Sequence, residues 1–366
     1  MPIGKTNKRR LSNLHLYLIA ALFCILGATT TEAQQASENL FYYVDAEDAF
    51  ASFEANSDYI TIVAPQTYSI SESGVVWGEV DSRVMAIARQ KDIRVIPLIM
   101  NPGFDRELFH TFLQDTTAQQ RTIRMMVALA REHGYAGWQF DFEHIHLSDR
   151  QAFTDFYRRT ADAFRPHQLS LSAAVVPTNT NFDLRTPYHR FLYEYWRGAY
   201  DLAALADIGD FLSLMTYSQH TRRTPPGPVS GLPWMREMVS YMTDELGIAP
   251  QKISLGIPFY STYWYADYTD ERGGFMNGRG ASYAKVQGLI DRYDAEVIWL
   301  EKPQTNYAIW NHDGVYEYAF IEDQRSLEPK LGLVDEYNLR GISVWRLGQE
   351  DPSVWKSFAK VDSKQR

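Results

Sequence analysis

The stretch YAGWQFDFEHI, from Tyr135 to Ile145, decides how the rest of the chain is interpreted. Successive side chains of a strand point to opposite faces, so a strand here has Gln139, Asp141 and Glu143 on one face. The opposite face is wholly aromatic and consists of Trp138, Phe140 and Phe142. Burying an unpaired charge costs on the order of several kcal/mol. An acidic face opposite an aromatic one is therefore expected at a functional site rather than in a core.

The sequence on both sides of this stretch argues against the alternative, an edge strand with a solvated acidic face. A helical pattern ends at Gly134, and a capping box of Ser148 and Gln151 predicts the start of another helix. A strand between two helices belongs in a parallel sheet that is covered on both faces. Asp141 and Glu143 then lie near the C-terminal end of the strand, where barrel enzymes have their active sites.

Eight short apolar or alternating runs follow one another along the chain, and most of them precede a helical pattern. They span residues 40–44, 59–65, 93–100, 137–143, 169–176, 211–217, 252–260 and 341–347. Eight strand–helix units in series predict an α/β fold, a TIM (β/α)8 barrel rather than an open sheet. The last two runs are far apart, and residues from about 260 to 319 predict a small α+β insertion between strands 7 and 8.

The first 33 residues are interpreted as a signal peptide. An apolar run over residues 14–28 is preceded by four basic residues, Lys5, Lys8, Arg9 and Arg10. Thr31-Glu32-Ala33 then offers a small-x-small cleavage site. We therefore expect a secreted or periplasmic protein that is cut near Ala33, with residues 34–366 forming one barrel domain. An uncleaved N-terminal anchor is the alternative.

The cysteine content restricts which disulfides we expect, and the net charge restricts which classes of partner we expect. The chain of 366 residues has a formal net charge of −9, and its one cysteine, Cys24, lies in the apolar run. Residues 1–33 carry four basic residues and one acidic residue, a net of +3, so their removal changes the charge from −9 to −12. We expect no disulfide in the cut chain. The acidic balance argues against nucleic acid or an anionic membrane as a partner, and we expect a monomer without stable membrane association.

Four stretches, in order along the chain, resemble the motifs of glycoside hydrolase family 18. Tyr135 to Glu143 is similar to the fourth-strand motif D-G-x-D-x-D-x-E of that family, with Gly137, Asp141 and Glu143 in place. The stretches LMTYSQH, LGIPFYSTYW and GISVWRLGQED, which start at Leu214, Leu255 and Gly341, resemble its sixth-, seventh- and eighth-strand motifs. The ending WRLG with ED is similar to the branch with bacterial spore-cortex peptidoglycan hydrolases and chitobiase-like proteins.

The resemblance implies a retaining, substrate-assisted hydrolase of β-1,4 linkages at N-acetylhexosamine, in chitin oligomers, peptidoglycan or N-glycan cores. The 2-acetamido oxygen of the sugar attacks C1 in such enzymes, and no cofactor is involved. Glu143 would protonate the leaving oxygen, Asp141 would hold the acetamido N–H, and Tyr217 would donate to the acetamido oxygen. Substrate contacts are implied for five further residues, Gln139, Met215, Trp345, Asn101 and Tyr260.

The sequence departs from the family pattern at Ala136, Gln139 and Ser218, where the family usually has acidic residues. Because Gln139 and Ser218 are neutral, we expect Asp141 to ionise more readily and the site to hold fewer negative charges.

Several of these residues have alternative interpretations. Tyr217 could be a core tyrosine, Trp345 a barrel-filling aromatic and Asn101 the cap of a turn at Pro102-Gly103. His144 and His146 suggest a metal site, but two imidazoles with no third ligand in view do not make one, and no metal is predicted. A non-catalytic, lectin-like protein on the same barrel is the alternative function.

Overall fold

The computed structural model describes residues 38–179, 186–222, 224–266 and 276–361. The expected signal peptide with Cys24 lies outside these ranges, and so does Gly273-Gly274, which the sequence predicts to be part of a glycine-rich turn in the insertion. Among the helices in them, none is long and apolar enough to cross a membrane.

The described residues contain fifteen strands. In chain order they are β1 (Glu38–Tyr43), β2 (Ile62–Ile70), β3 (Val76–Trp77), β4 (Arg94–Val95), β5 (Leu98–Met100), β6 (Gly137–Phe140), β7 (Ser170–Val175), β8 (Phe211–Leu214), β9 (Ile253–Pro258), β10 (Ser261–Ala266), β11 (Met276–Ala281), β12 (Glu296–Leu300), β13 (Thr305–His312), β14 (Val315–Ile321) and β15 (Gly341–Trp345).

Eight parallel strand positions form a closed barrel, which confirms the predicted fold class. The order around the ring is β1, β2, β5, β6, β7, β8, β9 and β15, and β4 continues the third position beside β2. β1 pairs with both β2 and β15, which closes the ring. Parallel strands in this arrangement need crossover connections, and helices supply them.

Ten α-helices accompany the strands. They are α1 (Glu47–Asn56), α2 (Ser82–Lys91), α3 (Arg106–Gln114), α4 (Thr116–His133), α5 (Arg150–Phe164), α6 (Pro187–Leu192), α7 (Leu202–Ile208), α8 (Leu232–Ser240), α9 (Tyr283–Tyr293) and α10 (Gln324–Tyr337).

The helices that flank the acidic strand β6 begin and end for identifiable reasons. The side chain of Asp115 accepts from two backbone N–H groups at the start of α4, and Gly134 ends this helix in a left-handed conformation with φ 79°, as predicted. The predicted capping box of Ser148 and Gln151 is wrong. A short 3-10 turn over Leu147–Asp149 precedes α5 instead, and the Asp149 carboxylate bonds His110 and Gln114 rather than the helix.

The two faces of β6 are in different environments, as the alternation predicts. The outward aromatic side chains belong to the core between the barrel and the helices. Phe142 stacks on Phe109 of α3 with ring centroids 4.3 Å apart, and Phe140 stacks on Phe156 of α5 at 5.2 Å. Each such pair contributes about 0.5–1.5 kcal/mol beyond burial of its area. This packing fixes the strand and leaves its acidic face inside the barrel.

A layer of small polar side chains fills the barrel below the end of β6. The Gln139 amide donates to the hydroxyls of Ser172 and Ser213, both at 3.0 Å. Ser343 lies 2.8 Å from Ser213 and 2.6 Å from Ser254, measured between hydroxyl oxygens. Strands β6, β7, β8, β9 and β15 are thus joined through side chains as well as backbone.

The residues between β9 and β15 form a second, antiparallel sheet in the order β11, β10, β14, β13, β12. Helix α9 packs on one face of this sheet with Trp310 and Ala308 of β13 in its core. The sequence predicts this α+β insertion, and the helical pattern over residues 283–293 coincides with the bounds of α9. Where the chain returns to the barrel, Lys330 of α10 is fully buried against Glu322.

Candidate active site

A cavity of about 190 Å³ opens at the C-terminal ends of the barrel strands. Its walls contain both carboxylates from the acidic stretch and several aromatic rings. The lining residues are Tyr42, Gln66, Leu98, Phe104, Asp141, Glu143, Ala174, Met215, Tyr217, Ser218, Tyr260 and Trp345. Their strands lie all around the ring, so the barrel itself builds the site.

Asp141 follows β6 directly, and its backbone N–H still bonds the Ile99 carbonyl of the neighbouring strand at 3.0 Å. The residue is 4 % exposed. One carboxylate oxygen accepts from the Gln66 amide at 3.3 Å. Asp141 is therefore held by the sheet through its backbone and by a neutral donor through its side chain.

Glu143 is held through its backbone by Asn101. The Asn101 side-chain oxygen accepts from the Glu143 N–H at 3.2 Å, and its amide donates to the Glu143 carbonyl at 3.1 Å. The Glu143 carboxylate accepts from the indole N–H of Trp196 at 2.9 Å. Both ends of the residue are thus fixed while its carboxyl lines the cavity.

Burial raises the pKa of both carboxyls. For Asp141, burial and the neighbouring charge of Glu143 raise the pKa to about 7, against a smaller lowering effect of the Gln66 hydrogen bond. For Glu143, burial raises the pKa and the Trp196 hydrogen bond opposes it. Two neighbouring carboxyls that are both shielded from solvent cannot both ionise easily, so the pair retains a proton near neutral pH. Asp141 was expected to ionise more readily because Gln139 and Ser218 are neutral. This expectation is wrong, because burial and the charge of Glu143 raise its pKa.

Two tyrosines and Ser218 form the wall beside β8 and β9. The rings of Tyr217 and Tyr260 meet edge to face with centroids 6.3 Å apart, and Ser218 and Tyr260 share a hydrogen bond of 2.8 Å. Burial raises the pKa of Tyr217 well above its ordinary value. Its phenol is therefore a hydrogen-bond donor throughout the physiological pH range.

Trp345, at the end of β15, lines the cavity on the strand next to β9, where it pairs with Pro258. Its ring is 5.3 Å from the ring of Tyr42, measured between centroids, and it is half-buried. A tryptophan with one face on the barrel and the other toward the cavity can stack on the apolar face of a sugar ring.

The structure brings together most of the site residues predicted from the sequence. Six of them line the cavity, namely Glu143, Asp141, Tyr217, Met215, Tyr260 and Trp345. Gln139 and Asn101 do not, and both are fully buried. The Gln139 amide bonds the serine layer below, and the Asn101 amide bonds backbone carbonyls. Asn101 instead fixes the position of Glu143.

Sequence reasoning missed Gln66 and Trp196, which bond the two carboxyls. Gln66 comes one residue after the predicted second strand, and a polar side chain at the C-terminal end of a barrel strand is a signal that could have identified it. Trp196 lies in a π-helical segment, Tyr193–Arg197, between α6 and α7. No alternation or motif marks Trp196.

The two histidines after Glu143 have other contacts. His146 lies 3.0 Å from a carboxylate oxygen of Glu107, and the His144 ring stacks on Trp196 with centroids 6.0 Å apart. Across the four described ranges, no group of three or more His, Cys, Asp or Glu side chains is arranged to hold a metal ion.

The chain matches known proteins along most of its length. The family described as Glycosyl hydrolases family 18 matches residues 29–350. The uncharacterized glycosylase YvbX of Bacillus subtilis is 23% identical, over 93% of this chain and 96% of its own. The cortical fragment-lytic enzyme of Bacillus subtilis is 28% identical, over 82% of this chain and 67% of its own.

Among solved structures, a chitinase from Chromobacterium violaceum superposes with a TM-score of 0.77 at 25% identity, covering 90% of this chain and 98% of its own. The site described above lies within the region that the family matches. This protein belongs to family 18 of the glycosyl hydrolases and is a glycoside hydrolase.

Proposed function

We propose that this hydrolase cleaves β-1,4 linkages next to an N-acetylhexosamine and uses the acetamido group of the sugar as its internal nucleophile. The observation that carries the proposal is the pair Asp141 and Glu143 in one buried pocket, with a raised pKa for both. Such a pair supplies a protonated acid next to a carboxylate at neutral pH. Substrate assistance is the mechanism of this family.

In the first step, Glu143 gives its proton to the glycosidic oxygen while the acetamido carbonyl oxygen attacks C1. The bond from C1 to the leaving oxygen breaks, and a cyclic oxazolinium ion forms. Asp141 accepts a hydrogen bond from the acetamido N–H and stabilises the positive charge of the ring. Gln66, which donates to Asp141 at 3.3 Å, keeps that carboxylate oriented.

In the second step, a water molecule attacks C1 from the side that the leaving group has vacated. The Glu143 carboxylate takes a proton from this water, and the bond from C1 to the acetamido oxygen breaks. The proton of Glu143 is thereby restored and the configuration at C1 is retained. Tyr217 supports both steps, because its un-ionised phenol can donate to the acetamido oxygen.

A test compares substrates that differ at C2. A substrate with an acetamido group in the cleavage subsite should be hydrolysed, whereas its glucose and free-amine counterparts should not, because they lack the nucleophile. A thiazoline analogue of the oxazolinium ion should inhibit competitively. Comparable turnover of the glucose substrate would contradict the mechanism. Binding of acetamido sugars without any turnover would instead favour the lectin-like alternative.

The glycan belongs, in this proposal, to the chitin oligomers, peptidoglycan or N-glycan cores. The names of relatives, a chitinase and a cortical fragment-lytic enzyme, support the first two. Mass spectrometry of products from chitooligosaccharides and purified peptidoglycan, digested side by side, would decide between them and would give the bond that is cut.

We further propose that the protein is exported and acts as a monomer. The basic residues and apolar run before Ala33 support export. Edman sequencing of the protein recovered from the periplasm or medium should start at Gln34, and its mass in light scattering should be that of one chain. A start at Met1 in the membrane fraction would favour the uncleaved anchor.

A further inference from the structure

Trp196 contacts the acid Glu143 in a way that the mechanism above does not use. Its indole N–H donates to Oε2 of Glu143 at 2.9 Å. Within the described parts of the chain, this is the one side-chain hydrogen bond to that carboxyl. Trp196 comes from the connection after β7, so it reaches the acid from outside the strand that carries it.

The position of Trp196 is set by its own surroundings. Its ring lies nearly parallel to the His144 imidazole, with 12° between the planes. The π-helical turn that carries it ends at Gly198, where a Cβ atom would come within 2.8 Å of Leu147 and 2.9 Å of Tyr193. The end of this turn is therefore packed against the side chains of Leu147 and Tyr193, which would have to shift if residue 198 carried a side chain. π-Helical turns of this kind are rare and occur frequently at functional sites.

The chemistry of an indole restricts what this contact can do. An indole N–H donates a hydrogen bond and cannot accept one. In a protonated carboxyl, the carbonyl oxygen is the better acceptor, so the bond to Oε2 favours the form with the proton on Oε1. After proton transfer, the same N–H stabilises the new carboxylate in a pocket where burial disfavours charge.

We propose that Trp196 is a positioning residue that keeps the acidic proton of Glu143 on Oε1 and stabilises the carboxylate formed when that proton is transferred. The inference rests on the proposed role of Glu143 as the acid. It assigns a function to the connection after β7, which carries no recognised motif.

The test removes the indole N–H of Trp196 and keeps an aromatic ring at that position. Trp196→Phe, and replacement of Trp196 by benzothienylalanine, in which sulfur takes the place of N–H, should each lower kcat about 5- to 10-fold, since loss of one donor to a developing charge has effects of this order or larger. KM should change less than about 2-fold, because the contact is made through the acid and not through the sugar.

The pH profile separates positioning from a merely structural role. Glu143 acts protonated, so activity falls as the pH rises through its pKa. Loss of a donor to the carboxylate raises that pKa. The basic limb of the activity–pH profile should therefore shift to higher pH by about half a unit. Trp310→Phe is the matched control, because Trp310 donates to Glu317 in the insertion at the same 2.9 Å. The control should leave the limb unchanged.

A titration that needs no turnover keeps this proposal separate from the proposed function. In protein labelled with ¹³C at the glutamate carboxyls, the resonance that disappears in Glu143→Gln belongs to Glu143. Its midpoint should rise in both Trp196 variants and stay constant in Trp310→Phe. A wild-type protein without hydrolysis of any acetamido sugar would contradict the proposed function, while this titration would still decide the effect of Trp196. An unchanged midpoint in the benzothienylalanine protein would overturn the inference.

Discussion

The two ends of the barrel shift the pKa of a buried glutamate in opposite directions. At the N-terminal end, Glu38 accepts from Arg340 at 2.8 Å and from Arg94 at 2.5 Å. Burial alone would raise its pKa, but the hydrogen bonds and charges of the two arginines outweigh burial and lower it. At the C-terminal end, Glu143 has no Lys or Arg bonded to its side chain among the described residues, and its pKa is raised.

The difference shows how the fold separates stability from chemistry. A carboxylate with arginine partners and a lowered pKa is ionised at neutral pH, so it has no proton to give, but it links β1, β4 and the start of β15. A carboxyl that has only neutral donors keeps its proton and can give it to a substrate. The glutamate at one end is therefore paired with cations, and the acid at the other end is paired with a neutral donor.

The largest effect is expected from Glu143→Gln, which removes the acid at the active-site end. Loss of a general acid costs about 100-fold to 10,000-fold in rate, and we expect kcat to fall at least 100-fold. Binding of N-acetylglucosamine oligomers, measured by calorimetry, should stay within a few fold, because glutamine keeps the shape and the Trp196 contact. A variant with more than a tenth of the wild-type kcat would exclude Glu143 as the acid.

Asp141→Asn should stabilise the protein at high pH, because the wild-type protein then has to bury the Asp141 carboxylate. The folded pKa of Asp141, about 7, lies above its ordinary 3.8, so its favourable contribution is complete below 3.8 and lost as the pH rises through 7. The variant should be more stable than wild type at pH 8 by on the order of 1–3 kcal/mol, and the gain should shrink at pH 4.5. Urea denaturation at both pH values measures this. Equal midpoints at pH 8 would refute it.

Glu38→Gln should have the opposite profile at the other end. Because its arginine partners are partly exposed, we expect a loss of about 1–2 kcal/mol at pH 7 with kcat unchanged. The folded pKa is lowered, so the wild-type advantage is present above the ordinary value of 4.5 and is lost as the pH falls through the folded pKa. Urea midpoints at pH 7 and pH 3.5 test this, and a reduced kcat would show that the two ends are coupled.

Ser218→Asp adds a negative charge to the active-site end. Ser218 lines the cavity and has φ 58°, a conformation that aspartate tolerates. A third carboxylate should raise the pKa of the acid, so the basic limb of kcat/KM should move up by about half a pH unit. Ser218→Asn, of the same shape without the charge, is the control and should not move the limb.

The sequence was most informative where one periodic pattern had one physical explanation. Alternation in β6 predicts an aromatic face under helices and an acidic face inside a barrel, and both are present. The two strongest corrections come from side-chain hydrogen bonds between segments that are far apart in the sequence. Asp149, one residue after the expected cap Ser148, bonds His110 and Gln114 in place of the helix. Asn101, expected at a sugar, holds the Glu143 backbone.

Hydrogen bonds between distant segments could not be predicted from the sequence. The bond from Trp196 to Glu143 joins residues 53 positions apart, and that from Gln66 to Asp141 joins residues 75 apart. Neither spacing follows from a period or a motif, since each depends on how the barrel closes. The raised pKa of Asp141 was equally inaccessible, because charge counting takes no account of burial.

The closure of the barrel also has a consequence for folding during synthesis. The bond between Arg340 and Glu38, beside the seam of β1 and β15, spans 302 positions of the chain. Chains are made at about 5–20 residues per second, so the ribosome leaves the outer edge of β1 unpaired for roughly 15–60 seconds. An open, apolar strand edge is a template for pairing with other chains. Expression yield should therefore respond to chaperones that cover β1 during this interval more than to changes in the active site.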